Sequence, residues 1–245
     1  MASATIHDLS WNTKEFCKKW QLFREARKKF RDKVRIAKFN QLVLQQLNAE
    51  ANSSLSSTYY SINRTAGAQL LLYFKEWDFP GLLIWFFVWG WLGAWCWWRM
   101  LPHSNRVVEL IGYDGMTATM CDNRQSILRA RGRWEEALFC CTAGLSKKVT
   151  DSHTRGLLLV GRADVFFRQG KIEAAKCDVA IALHGVEFAE KSDPNQASRI
   201  YRDCARLVQE LGMLAPDYHE LMQKAMELAK QTGSRDQELK IAARV

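Results

Sequence analysis

Twenty consecutive residues, Phe79 to Trp98, read FPGLLIWFFVWGWLGAWCWW and carry no charge; Lys75, Glu76 and Asp78 precede them and Arg99 follows. At about 1.5 Å per helical residue the run covers about 30 Å, the thickness of a bilayer's hydrocarbon core. Pro80 suits a first helical turn, where its missing N–H costs nothing. Trp77 at one end and Trp95, Trp97 and Trp98 at the other fit the interfacial aromatic belt. A core helix of a soluble protein would need a larger interior than 245 residues build around so many bulky rings. The expectation is an integral, single-pass membrane protein with its span at 79–101. Gly90-x-x-Gly93 offers a small patch for close packing of another membrane helix. A second geometry stays open. The shorter apolar run Ala66 to Phe74 pairs with the span if the chain turns back near Gly90 and Gly93, which puts both halves in one compartment.

Orientation is balanced by charge, with Arg64 and Lys75 before the span and Arg99 and Arg106 after it. The distant basic N-terminus argues for a cytosolic, matrix or stromal start. Asn52-Ser-Ser and Asn63-Arg-Thr match the glycosylation acceptor pattern and argue the other way. No cleaved presequence is evident in Met1 to Asp8, which lacks the apolar stretch of a secretory signal.

The net charge of +9 is concentrated near the N-terminus. Phe16, Trp20, Phe23, Phe30, Val34, Ala37 and Leu44 recur at helical steps, with Lys18, Lys19, Arg24, Lys28, Lys29 and Arg35 around them. This predicts a long amphipathic basic helix over about 13–50, within a region 1–52. The apolar stripe favours a partner protein or anionic lipid headgroups and disfavours nucleic acid, because phosphate contact needs no apolar face. The polar run Asn52 to Thr58 reads as a linker, so 53–78 is assigned as linker and juxtamembrane segment.

Beyond Pro102 the chain is mixed in charge and helical in period, assigned as a helical domain at 105–232 with a tail at 233–245. An internal repeat lies there. Residues 131–145 align without gaps on 169–183, pairing Gly132 with Gly170, Arg133 with Lys171, Trp134 with Ile172, Glu135 with Glu173, Ala137 with Ala175, Gly144 with Ala182 and Leu145 with Leu183. Each first glycine supplies a tight turn, and the small residues let the second helix pack closely. The segment resembles the tetratricopeptide repeat family: its G-x-Φ-x-E-A core stands at Gly132–Ala137 and Gly170–Ala175, and Phe166 to Gln169 looks like the end of a first helix. The repeat offset of 38 residues, Cys141 and Val179 in place of an aromatic, and a missing terminal proline depart from the family. The resemblance covers about 117–190 and extends to 232 as a further hairpin. It implies stacked helix hairpins, a groove for a peptide or helix, and groove or rim contacts to acidic ligands by Arg129, Arg133, Arg162, Arg168 and Lys171.

Catalytic and metal-binding patterns are missing from the sequence. The seven Cys contain no C-x-x-C, the five His have no zinc spacing, and no phosphate loop or nucleophile elbow occurs. An odd number of Cys in helical sequence points to a reducing compartment, with Cys140-Cys141 read as core. The span has no axial His for a haem. No cofactor is implied, and the chain is expected not to be an enzyme.

The fold expected is therefore all-α: a basic amphipathic helix, one membrane helix and a tetratricopeptide-like hairpin array. The function expected is a membrane-anchored adaptor or scaffold for a protein partner, such as another subunit of a membrane complex. Two alternatives are a structural subunit held through the Trp-rich helix and a ribosome or RNA tether through the basic helix.

Overall fold

The computed structural model describes residues 41–76, 79–148 and 151–234, together with Gln21, Arg24, Glu25, Arg27, Lys28, Lys29, Lys33, Glu238 and Ile241. Among these residues the chain is helical and contains no strand. Nine α-helices follow one another: α1 (Gln41–Glu76), α2 (Phe79–Ile84), α3 (Trp91–Gly115), α4 (Ala118–Ala130), α5 (Trp134–Ser146), α6 (Ser152–Arg168), α7 (Ile172–Ser192), α8 (Pro194–Glu210) and α9 (Tyr218–Gln231). A π-helical turn, Trp85–Gly90, joins α2 to α3.

The 36 residues of α1 make a rod about 54 Å long, and α2, the π turn and α3 run back along it. The predicted linker is part of this rod. The side chains of Asn52, Ser56 and Thr58 donate to the carbonyls of Asn48, Ser53 and Ser54 on the preceding turn, at 2.8, 2.9 and 2.9 Å. Ser53 and Ser56 are buried. Local hydroxyl and amide bonding normally competes with a helix; here it is made along the helix, and packing on α3 fixes it. No boundary falls at 52/53.

Pro102 likewise does not end the apolar helix, which runs on past it, with Pro102 exposed, to a break at Gly112 (φ 62°, ψ 175°) before the last residues of α3. An internal proline costs about 3 kcal/mol. Buried contacts on both sides of it, Met100 and Ser104 then Val107, hold the helix through.

The helical array starts at α4. Thr117, Asp151 and Asp193 cap the starts of α4, α6 and α8 by accepting from Met120, Thr154 and Gln196 backbone N–H groups at 3.2, 3.3 and 3.1 Å. These three helices end on the same backbone turn. Gly132, Gly170 and Gly212 have φ of 69°, 73° and 60°. The N–H after each glycine bonds a carbonyl five residues back: Arg133 to Leu128, Lys171 to Phe166 and Met213 to Val208. A side chain at these glycines would strain the turn.

The main core gathers around α6, buried from Gly156 to Gly161, and around α8, whose Ala197, Ile200, Cys204 and Leu207 repeat at helical spacing, with Leu211 just past its end. The small residues of the repeat sit where close packing requires them: Ala137, Gly144, Ala175 and Ala182 are all buried, and a Cβ on Gly144 would meet Cys121 Cβ at 2.9 Å. The assigned tail also contributes, because Ile241 is buried in this core.

Cys140 and Cys141 are both fully buried, as are Cys96, Cys121 and Cys204; Cys177 is exposed. Burial pushes the Cys121 thiol up to about 12, and the Cys140, Cys141 and Cys204 thiols upward as well. Since the thiolate is the nucleophile, a maleimide applied to the native protein should modify Cys177 rapidly. Those buried positions should react only after denaturation, with mass spectrometry reading the sites.

Candidate functional site

Two features stand apart from the core. The first is the apolar hairpin made by the C-terminal half of α1 against α2, the π turn and the start of α3. Among the described residues one helix, Pro80–Gly115, is long and apolar enough to cross a membrane, and only 24% of its apolar window is buried in the chain. Its two faces differ. Gly81, Trp89, Gly93, Cys96 and Met100 are buried, whereas Phe87, Trp91 and Trp98 are 70%, 72% and 65% exposed.

The inner face is zipped to α1. Asn63 Nδ2 donates to the Gly93 carbonyl at 2.9 Å, and Trp85 Nε1 donates to the Ala66 carbonyl at 2.7 Å. A Cβ on Gly93 would touch Ala66 Cβ at 3.4 Å. Higher up, Tyr59 meets the Trp95 ring edge-on at 5.2 Å, and His103 pairs with Asn52 at 2.8 Å. Gly93 is thus a packing residue whose neighbour is this chain's own α1. Gly90 differs, lying under the ring of Trp85 in its own helix. Both glycosylation-pattern asparagines, Asn52 and Asn63, sit in a helix with side chains already bonded, which removes the argument they offered for a lumenal N-terminus.

The second feature is a cavity of about 370 Å³ between α1 and the array, lined by Tyr60 and Arg64 of α1 and by residues of α4, α6 and α8. Asp164 on α6 is part of the lining. It accepts from Arg129 of α4 at 2.6 and 2.8 Å and from Arg206 of α8 at 2.9 Å. Burial pushes the Asp164 carboxyl up, and the two guanidinium groups more than reverse this, leaving it below the usual carboxylate range. Asp122 behaves oppositely: burial raises it, and Arg199, Gln125 and Arg129 offset this only in part. Arg64 approaches Asp203 at 3.9 Å; Arg168 and Arg199 also line the cavity, whose charged lining is mixed, with Asp122, Asp203 and Glu210 beside the arginines.

Of the five array residues singled out from the sequence, Arg129 and Arg168 line this cavity. Arg162 does not; it holds Asp178 of α7 through two bonds of 2.7 Å. Arg133 pairs with Glu136 on the surface, and Lys171 is exposed 5.7 Å from the Phe166 ring. Arg64, Arg199, Arg206 and Asp164 were not singled out. A signal for part of this set exists in α8: Arg199, Asp203, Arg206 and Glu210 form a charged stripe at four-, three- and four-residue steps alongside its apolar one. In the N-terminal region Arg24, Lys28 and Lys29 are helical and exposed, while Lys18, Lys19, Arg35 and the basic helix as a whole lie outside the described residues.

No protein-family model matches the chain, and no curated protein is similar to it in sequence.

Proposed function

We propose that the protein is a membrane-anchored adaptor in which the apolar hairpin fixes a helical array at a membrane surface, and the array holds a protein partner. The exposed row Phe87, Trp91 and Trp98 carries this reading, because the opposite face of the same helix is already satisfied by α1. An aromatic face without a protein neighbour is stable in lipid and a liability in water. The recurring glycine turns and the buried small residues support a tetratricopeptide-like arrangement of the array. Since α1 forms one wall of the concave side, the space left suits acidic side chains of a partner better than a whole helix, with Arg168 as the contact, because Arg129 is already bound to Asp164.

The packing of α1 on the apolar helix favours the turned-back geometry over a single pass. Residues before Asn63 and residues after Arg99 then share one side of the membrane. The protein in membranes is expected to stay in the pellet after alkaline carbonate, and tags at positions 1 and 245 should both be cut by protease added to the same side of sealed vesicles. Recovery in the supernatant would remove the anchor, and cleavage of only one tag would restore the single pass.

A further inference from the structure

The two features described above meet at one level of the molecule. α3 leaves the apolar run at Arg99, climbs to Gly115, and α4 descends beside it. Arg124 on α4 bonds Ser104 at 2.8 Å, and Ile127 packs with Met100 and Cys96. One turn further down, the Arg131 guanidinium donates to the Trp97 carbonyl and lies 4.4 Å over the Trp97 ring. The first turn of the array therefore stands beside the last residues of the uncharged run, where an interfacial belt belongs.

The second and third turns stand at the same end. α4, α6 and α8 run in one direction, as the bonds of Asp164 to Arg129 and Arg206 require, since all three residues lie in the last turns of their helices. Arg168 sits 5.8 Å from the Trp134 ring, placing the turn after α6 next to the turn after α4. Each turn also has the same chemistry two residues past its positive-φ glycine: Trp134, Ile172 and Leu214. Leu214 is wholly exposed and Ile172 partly so, which a soluble surface gains nothing from. Arg133 and Lys171 stand between glycine and apolar residue in the first two turns. Glu135 and Glu136 balance Arg131 and Arg133 in the first turn, with Glu136 held by Arg133 and Arg124, so the positive excess comes from Arg168, Lys171 and Lys176 against Glu173 in the second.

We infer that this end of the array, the turns at 131–134, 169–172 and 211–214, is a second membrane-contacting surface that rests on anionic phospholipid headgroups. Basic side chains beside exposed apolar tips fit an interface with negative charge above hydrocarbon. The contact holds the array upright on the bilayer, so that its concave cavity opens along the surface. This inference rests on the membrane anchoring proposed above and goes beyond it, because anchoring needs only the hairpin.

Hydrogen exchange followed by mass spectrometry tests it on the full-length protein in lipid nanodiscs, made either of phosphatidylcholine alone or of phosphatidylcholine with phosphatidylserine. Amides of the three turns are expected to exchange several-fold more slowly in the discs containing phosphatidylserine. The opposite ends of the same helices, around Thr117 and Asp193, should not change. The exposed pair R133E and K171E should abolish the difference while leaving 79–98 protected. Equal exchange of the turns in both lipids, with 79–98 protected, overturns the inference and leaves the anchor standing. Rapid exchange of 79–98 in both lipids overturns the anchor and this inference with it.

Discussion

Replacing Phe87, Trp91 and Trp98 together by Asp is expected to release the protein from membranes, so that alkaline carbonate recovers it in the supernatant instead of the pellet. The three side chains point away from the rest of the chain, at 70%, 72% and 65% exposure, so their loss removes little internal packing. In lipid the same change is severe. A carboxylate near the centre of a membrane helix costs about 3 kcal/mol, less toward the interface, so the triple variant forfeits about 6 to 9 kcal/mol of insertion free energy. Circular dichroism should show the helix content preserved, since α1 still covers the inner face through Asn63, Ala66 and Gly93. Retention of the variant in the pellet would mean that the exposed row does not face lipid.

The elements that sequence made legible are those where one local rule acts alone. An uncharged run of this length specifies an apolar helix whatever surrounds it, and a glycine at a helix end with an apolar residue two positions later specifies a turn, as at Gly132 and Gly170. The repeat also made the close approach at Gly144 readable, because only a small residue fits against Cys121 and Leu158. What sequence could not settle depended on partners far away in the chain. The run Asn52 to Thr58 has linker composition, and it becomes helix because α3 packs on one side while its own side chains bond the preceding turn. Pro102 has the local signature of a helix end, yet buried neighbours on both sides carry the helix through. The cavity was half legible. Arg129 and Arg168 are readable as basic groove or rim residues of a helix-hairpin array, but Asp164 joins Arg206 across 42 residues, and α1 supplies Arg64 from outside the array altogether.

The substitution Asp164→Ala is expected to be the most damaging single change in the array. It removes the carboxylate that joins Arg129 to Arg206, each about four-fifths buried, and leaves Arg206 only its pair with Glu210 at 3.0 Å. Removing one partner of a buried ionic cluster costs about 3 to 5 kcal/mol, and the residual exposure of both arginines together with the Arg206–Glu210 pair places this case toward the lower end. For a chain of this size that lowers the melting temperature by roughly 10 °C, readable by circular dichroism of the detergent-solubilised full-length protein. The pH dependence separates charge from packing. The folded-state carboxyl of Asp164 lies below its unfolded value of about 3.9, so its stabilisation is fully present above that pH and fades as pH falls through the lower folded value. The gap between wild type and D164A should therefore be constant from neutral pH down to about pH 5 and narrow below about pH 4. Asp122, raised by burial, contributes with the opposite sign: it is neutral in both states at low pH and costs stability as pH rises above its unfolded value. Asp122→Asn, which keeps an acceptor for Gln125, should accordingly be tolerated at neutral pH where D164A is not. A D164A deficit that stayed the same down to the acid end would assign the loss to packing and remove the ionic cluster as the tie between α4, α6 and α8.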